Sequence, residues 1–194
     1  YYGDDGKGSA MIGALTGVGA LQDIDSACGP TGKAVYDAAQ IADPEIDYND
    51  FDTDKDGVVD FFMMVFAGIG GNGASQTSVP PYDNIWPHSS DLQGAYVDAN
   101  GEKGYVSDDQ LTDLEGRPLF WTDDSYTKKT TQDTGKPVHV AVGPYNVNPE
   151  SAIAKASVIS HEYGHSLGLP DFYTTGDRGT YGDWNLMATD HSQH

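Results

Sequence analysis

Cys28 is the only cysteine among 194 residues, so no intrachain disulfide can brace the fold. We expect it to be a small buried or half-buried side chain rather than a latency ligand on a metal. Basic residues are also scarce. Ten Lys and Arg stand against thirty Asp and Glu, for a formal net charge of −20. Such a charge argues against nucleic acid or an anionic membrane as partner. Glutamate is rare in its turn, supplying five of the thirty acids, at positions 45, 102, 115, 150 and 162. The remainder are aspartates, which suit turns and oxygen-rich metal loops. No apolar run is long enough to cross a bilayer. No basic leader followed by an apolar stretch opens the chain, and Tyr1 is not an initiator Met, so the start reads as a processed or trimmed end.

What is present is enough to fold. Hydrophobic residues make up 38% and aromatics 11%, which separates the chain from disordered tails. The length supports one core, divided at most into two lobes around a cleft. Twenty-four glycines and the aspartates predict a loop-rich chain, most of all over residues 1–30. Thr31 can cap a helix over 31–43, with Val35, Ala38, Ala39 and Ala42 at helical spacing and Pro44 just beyond. The run VVDFFMMVFA (58–67) reads as a buried strand, and the Gly-rich segment 68–81 as a loop. Short strands and long loops are expected over 82–135. Val138, Val140 and Val142 alternate with His139 and Ala141 as in a further strand. The clearest helix is expected over 149–167, with Asn148 as its cap, Pro149 at its first position and Gly168 as its left-handed stop.

That helix carries His161, Glu162 and His165 in the pattern H-E-x-x-H. Positions i and i+4 share a helix face, so two imidazoles can reach one zinc ion while Glu162 approaches the remaining coordination position. Zinc lowers the pKa of a bound water, and Glu162 is placed to take its proton as general base. The motif extends to HEYGHSLGLPD. Gly168 gives the backbone freedom to reverse, and Asp171 then arrives six residues after His165 as third ligand. Longer zinc-peptidase motifs have His there; Asp supplies an oxygen instead. Asp177, Asp183 and His191 are alternative third ligands. Downstream, Met187 in WNLMA (184–188) resembles the methionine that packs beneath the zinc in metzincins.

A second cluster lies at 52–60, DTDKDGVVD. Asp52, Asp54, Asp56 and Gly57 match the first positions of an EF-type calcium loop, Val58 can offer its carbonyl and Asp60 follows. Met63 stands where an EF-hand has its bidentate Glu, so the expected feature is a calcium loop at a strand entrance, with Asp47 or Asp50 able to add an oxygen. The bland reading is a solvated acidic turn.

Four stretches together resemble the immune inhibitor A family of bacterial secreted metallopeptidases: QIADPEIDYNDFDTDKDGVVDFFMMVFAG (40–68), IWPH (85–88), HEYGHSLGLPD (161–171) and NLM (185–187). The resemblance implies a secreted, extracellular zinc endopeptidase acting on protein or peptide substrates, preceded in the full polypeptide by an inhibitory propeptide. It also implies an α+β, zincin-like domain in which a mixed, twisted sheet packs on the active-site helix. We expect a single catalytic domain, with an N-terminal lobe over 1–168 and a C-terminal lobe over 169–194. The latter stops seven residues after Met187, as if trimmed from a longer polypeptide. The resemblance places Trp86, Pro87 and His88 near the substrate, so His88 becomes a candidate for binding substrate or stabilising the oxyanion; the alternative is a His packed on Trp. Tyr173 and Tyr181 are candidates to hydrogen-bond the tetrahedral intermediate. Two other functions fit the same residues: a zinc hydrolase of small amides, and a calcium-stabilised binding module with an inactive site.

Overall fold

The computed structural model describes residues 31–67, 85, 87–154, 156–172 and 185–187. Helix α1, Thr31–Ala42, buries Ala34, Val35 and Ala39, so of the spacing Val35, Ala38, Ala39 and Ala42 read from the sequence Val35 and Ala39 are buried and Ala38 and Ala42 half-buried. Two short 3-10 turns follow, Asp43–Glu45 and Tyr48–Phe51. Strand β1 is Phe62–Phe66 and β2 is His88–Asp91. The single-turn helix α2 is Leu92–Ala95. Then come β3 (Tyr105–Gln110), β4 (Phe120–Trp121), β5 (Lys129–Thr130), β6 (His139–Val142) and β7 (Pro144–Pro149). Helices α3 (Glu150–Ile153) and α4 (Ser157–Ser166) complete the described elements. Mixed helices and small sheets make the fold α+β. Among the described residues no helix is long and apolar enough to cross a membrane.

The principal sheet has the order β1-β7-β2, with β1 parallel to β7 and β2 antiparallel to it. β7 is thus paired on both edges and is buried from Tyr145 to Pro149. Its alternate residues part to opposite faces. Tyr145 and Val147 enter the main core with Val35, Tyr48, Leu92 and Val140. Asn146 and Asn148 point to the other face, where the Asn146 amide donates to Ser166 Oγ at the end of α4 (3.2 Å). β3 pairs antiparallel with β6, and β4 with β5.

Two sequence expectations are corrected here. The helix expected over 149–167 is two helices, and its expected cap is a strand. Asn148 and Pro149 pair with Val65 and Phe66 of β1, and Pro149 is extended at φ −76, ψ 150. Parallel pairing with β1 overrides a local capping preference worth about 1 kcal/mol. Ala156, at φ +55, then separates α3 from α4, and Ile153 is exposed. The apolar run 58–67 is likewise divided. Val58 bridges to Ala141 beside β6, whereas regular pairing to β7 begins at Phe62. The expected strand at 138–142 is present as β6, with Val138, Val140 and Val142 buried. Cys28 and the segments 1–30 and 68–84 lie outside the described residues.

Candidate metal centre

Helix α4 packs on the face of the sheet that carries Asn146. Its buried residues are His161, Glu162 and Gly164. One helical turn puts His161 and His165 side by side, with ring centroids 4.9 Å apart. One ligand atom from each of His161, Glu162 and His165 lies within 4.8 Å of the others.

The chain reverses directly after α4. Gly168 has φ +83, a conformation that costs any residue with a Cβ. The Leu169 N–H donates to the Gly164 carbonyl (3.0 Å) and the Gly168 N–H to that of His165 (2.9 Å). These two bonds form a Schellman stop. Asp171 consequently returns to the helix, its Oδ1 at 3.2 Å from His161 Nε2 and 3.5 Å from His165 Nε2.

The ring orientations follow from the carbonyls behind them. His161 Nδ1 lies 2.9 Å from the Leu186 carbonyl oxygen, and His165 Nδ1 lies 2.8 Å from that of Leu169. A carbonyl can only accept, so each Nδ1 carries hydrogen, and in the neutral rings each Nε2 presents a lone pair. Two lone-pair nitrogens facing a carboxylate oxygen repel unless positive charge lies among them. A shared cation satisfies all three groups. Two ligands each about 2.0–2.2 Å from a tetrahedral ion stand about 3.3–3.6 Å apart. The Asp171–His separations, 3.2 and 3.5 Å, lie within about 0.1 Å of that range, so the donor set fits zinc.

Burial pushes the Glu162 carboxyl up to about 8, and the nearby Asp171 charge adds to this, while the Ser89 backbone N–H, hydrogen-bonded to Glu162, opposes it. Met187 is 2% exposed and lies against Gly164, where an added Cβ would come within 2.7 Å of its sulfur. The Phe172 N–H donates to the Met187 carbonyl (2.8 Å), which ties the chain after Asp171 to the turn that holds His161. Met187 thus forms a floor under the helix, as its sequence context predicts.

His88 sits elsewhere. Its neighbour Ser89 shares the α4 face with Asn146, so His88 projects to the opposite face, where Nε2 and Tyr145 Oη lie 3.0 Å apart. The structure does not bring it to His161. Tyr173, Tyr181, Trp86 and the alternative ligands Asp177, Asp183 and His191 lie outside the described residues. Sequence reasoning did not find Ser89 or the carbonyls of Leu169 and Leu186. Each acts through its backbone, which leaves no residue-type signal.

Asp52, Asp54 and Asp60 offer oxygens within 4.8 Å of one another. Asp52 is fully buried, and its carboxylate accepts from the N–H groups of Asp56 (3.1 Å) and Gly57 (2.8 Å). Burial raises its pKa in spite of those bonds. Asp56 is not in the trio. Its Oδ1 accepts from the Val58 N–H (2.8 Å), and its carbonyl accepts from Lys129 Nζ (2.5 Å). Asp47 is used as a cap on the Asn49 N–H (2.9 Å).

Residues 2–192 match the catalytic domain of the immune inhibitor A peptidase M6 family. The chain is also similar to the pre-pro-metalloprotease PrtV of two Vibrio cholerae serotype O1 strains, at 29% identity over 163 residues. That match covers 76% of this chain and 14% of each relative, so the chain spans a small part of the proteins it resembles. With the match extending over nearly its whole length, the chain belongs to the immune inhibitor A peptidase M6 family.

Proposed function

We propose that this chain is a zinc-dependent endopeptidase domain of zincin type, in which His161, His165 and Asp171 hold the metal and Glu162 is the general base. The observation that carries the reading is the meeting of the His161 and His165 Nε2 atoms with the Asp171 carboxylate within 3.5 Å, beside a buried Glu162. Zinc held there would supply Lewis acidity, polarising a scissile carbonyl and easing deprotonation of water. The chain's own residues do the rest. Leu186 and Leu169 fix the imidazole tautomers from behind. Glu162, buried and therefore an avid proton acceptor, takes the proton of the attacking water and returns it to the departing amine.

Protein substrates, an extracellular setting and an inhibitory propeptide follow the same reading, supported by the family and by the pre-pro name of the relatives. The division into lobes at about residue 168 is part of the proposal. The Asp52, Asp54 and Asp60 trio is read as a structural calcium site that Val58 can complete with its carbonyl. Crowded carboxylates there repel one another without a cation.

The test is casein and gelatin zymography of the zinc-loaded chain with its Glu162→Gln variant. Turnover by the parent and none by a zinc-retaining variant support the reading. Turnover by the variant removes Glu162 from its role, and hydrolysis of small amides alone points to an amidohydrolase.

A further inference from the structure

Tyr163 of α4 meets Phe61 edge to face (ring centroids 5.0 Å) but is itself exposed, and among the described residues no large apolar side chain is buried on α4. Its buried side chains are His161 and Glu162, with Gly164 making the close contact to Met187. Val158 and Ile159 are half-buried. A polar contact to the sheet comes from Asn146, which is fully buried on the central strand β7. Its Nδ2 donates to Ser89 Oγ on β2 (2.9 Å) and to Ser166 Oγ at the last residue of α4 (3.2 Å). Ser89 is the residue whose backbone N–H is hydrogen-bonded to Glu162. Ser166 directly follows His165. One amide therefore joins the strand that holds the Glu162 carboxylate to the helix that carries it.

The arrangement is kept at a cost. Asn146 Oδ1 is buried with no partner, as are both polar atoms of the neighbouring Asn148. An apolar side chain of similar size would avoid that penalty. An amide at this position is explained by the geometry it imposes.

We propose that Asn146 is a positioning residue, which sets the separation of β2 and α4 so that the Ser89 N–H meets and aims the Glu162 carboxylate. The proposal rests on the reading of Glu162 as general base. It acts through Ser89 and Ser166 and does not touch substrate.

The test uses the full chain and the variants Asn146→Leu and Ser166→Ala. Backbone amide exchange at Ser89 is measured by NMR in the zinc-free protein. Peptidase kcat, KM and zinc per chain are measured in the loaded protein. In Asn146→Leu, kcat is expected to fall about tenfold to a hundredfold with KM and zinc content retained, the size typical of lost outer-shell support. Ser89 exchange should quicken in both variants. Ser166→Ala, the milder change, should shift both readouts the same way and serves if Asn146→Leu does not fold. Unchanged exchange and kcat in a folded variant overturn the proposal. So does a loss of kcat that only tracks lost zinc or a lowered Tm. Failure of the underlying reading looks different: the parent shows no peptidase activity, or Glu162→Gln remains active, and either result overturns both. An active parent silenced by Glu162→Gln, with Asn146→Leu fully active, overturns the positioning role alone.

Discussion

Replacing Glu162 by Gln should make the metal-free protein more stable, and increasingly so as pH rises. The structure sets the direction and the ceiling. Glu162 is 7% exposed, and burial pushes its carboxyl from 4.5 to about 8. In the unfolded chain the group ionises in the ordinary carboxylate range. Between that range and about 8 the native state therefore binds more protons than the unfolded state, and native stability falls as pH rises. Each pH unit in this window contributes about 1.4 kcal/mol, so the full effect approaches ~5 kcal/mol. That is comparable with the whole stability of many domains, about 5–15 kcal/mol, and is large enough to measure. Gln is neutral throughout and escapes the penalty. The assay is urea unfolding of both proteins with a chelator present, at about pH 5 and about pH 8. Near pH 5 the variants should differ little. Near pH 8 Glu162→Gln should be the more stable by several kcal/mol. Parallel stability curves for the two proteins would refute the argument, because they would mean that Glu162 is not ionising in a buried setting. Excess zinc should narrow the gap, since a nearby cation favours the carboxylate.

Three further outcomes follow from the same geometry. Gly164→Ala should lower stability by about 1–3 kcal/mol, because a Cβ meets the Met187 sulfur at 2.7 Å; an unchanged Tm would show that Met187 moves aside freely. Asp171→Ala should leave the helix intact by circular dichroism while weakening zinc affinity in a competitive chelator titration, and retained affinity would assign the third ligand elsewhere. Calcium should raise the Tm of the parent at constant zinc and have no such effect on Asp52→Ala, which also loses about 1–3 kcal/mol through the stranded N–H groups of Asp56 and Gly57; a parent Tm indifferent to calcium removes the ion from the acidic loop.

The geometry of the candidate centre was legible where it is local. The four-residue spacing of His161 and His165 fixes their common helix face whatever surrounds them, and Gly168 marks a reversal because its φ of +83 disfavours any Cβ. Asp171 followed from that reversal, and Met187 from its position beyond it. The same local logic misread Asn148 and Pro149, whose residue types signal a helix start. Their pairing with Val65 and Phe66 lies more than eighty residues away in the chain, and capping signals carry no information about it.

By itself, then, the sequence determined that His161 and His165 share one helix face and that the chain can reverse after them: helical periodicity and backbone freedom act over a few residues and need no partner. Tertiary structure alone decided which face of β2 holds Ser89 and which holds His88, because strand parity has meaning only once β7 sets the register. It also decided that Asp56 turns to the Val58 N–H while Asp52, Asp54 and Asp60 converge, and that the carbonyls of Leu186 and Leu169 hold the imidazoles from behind. Every residue has a backbone carbonyl and every residue but proline an N–H, and only the folded chain determines which of them reach a functional group.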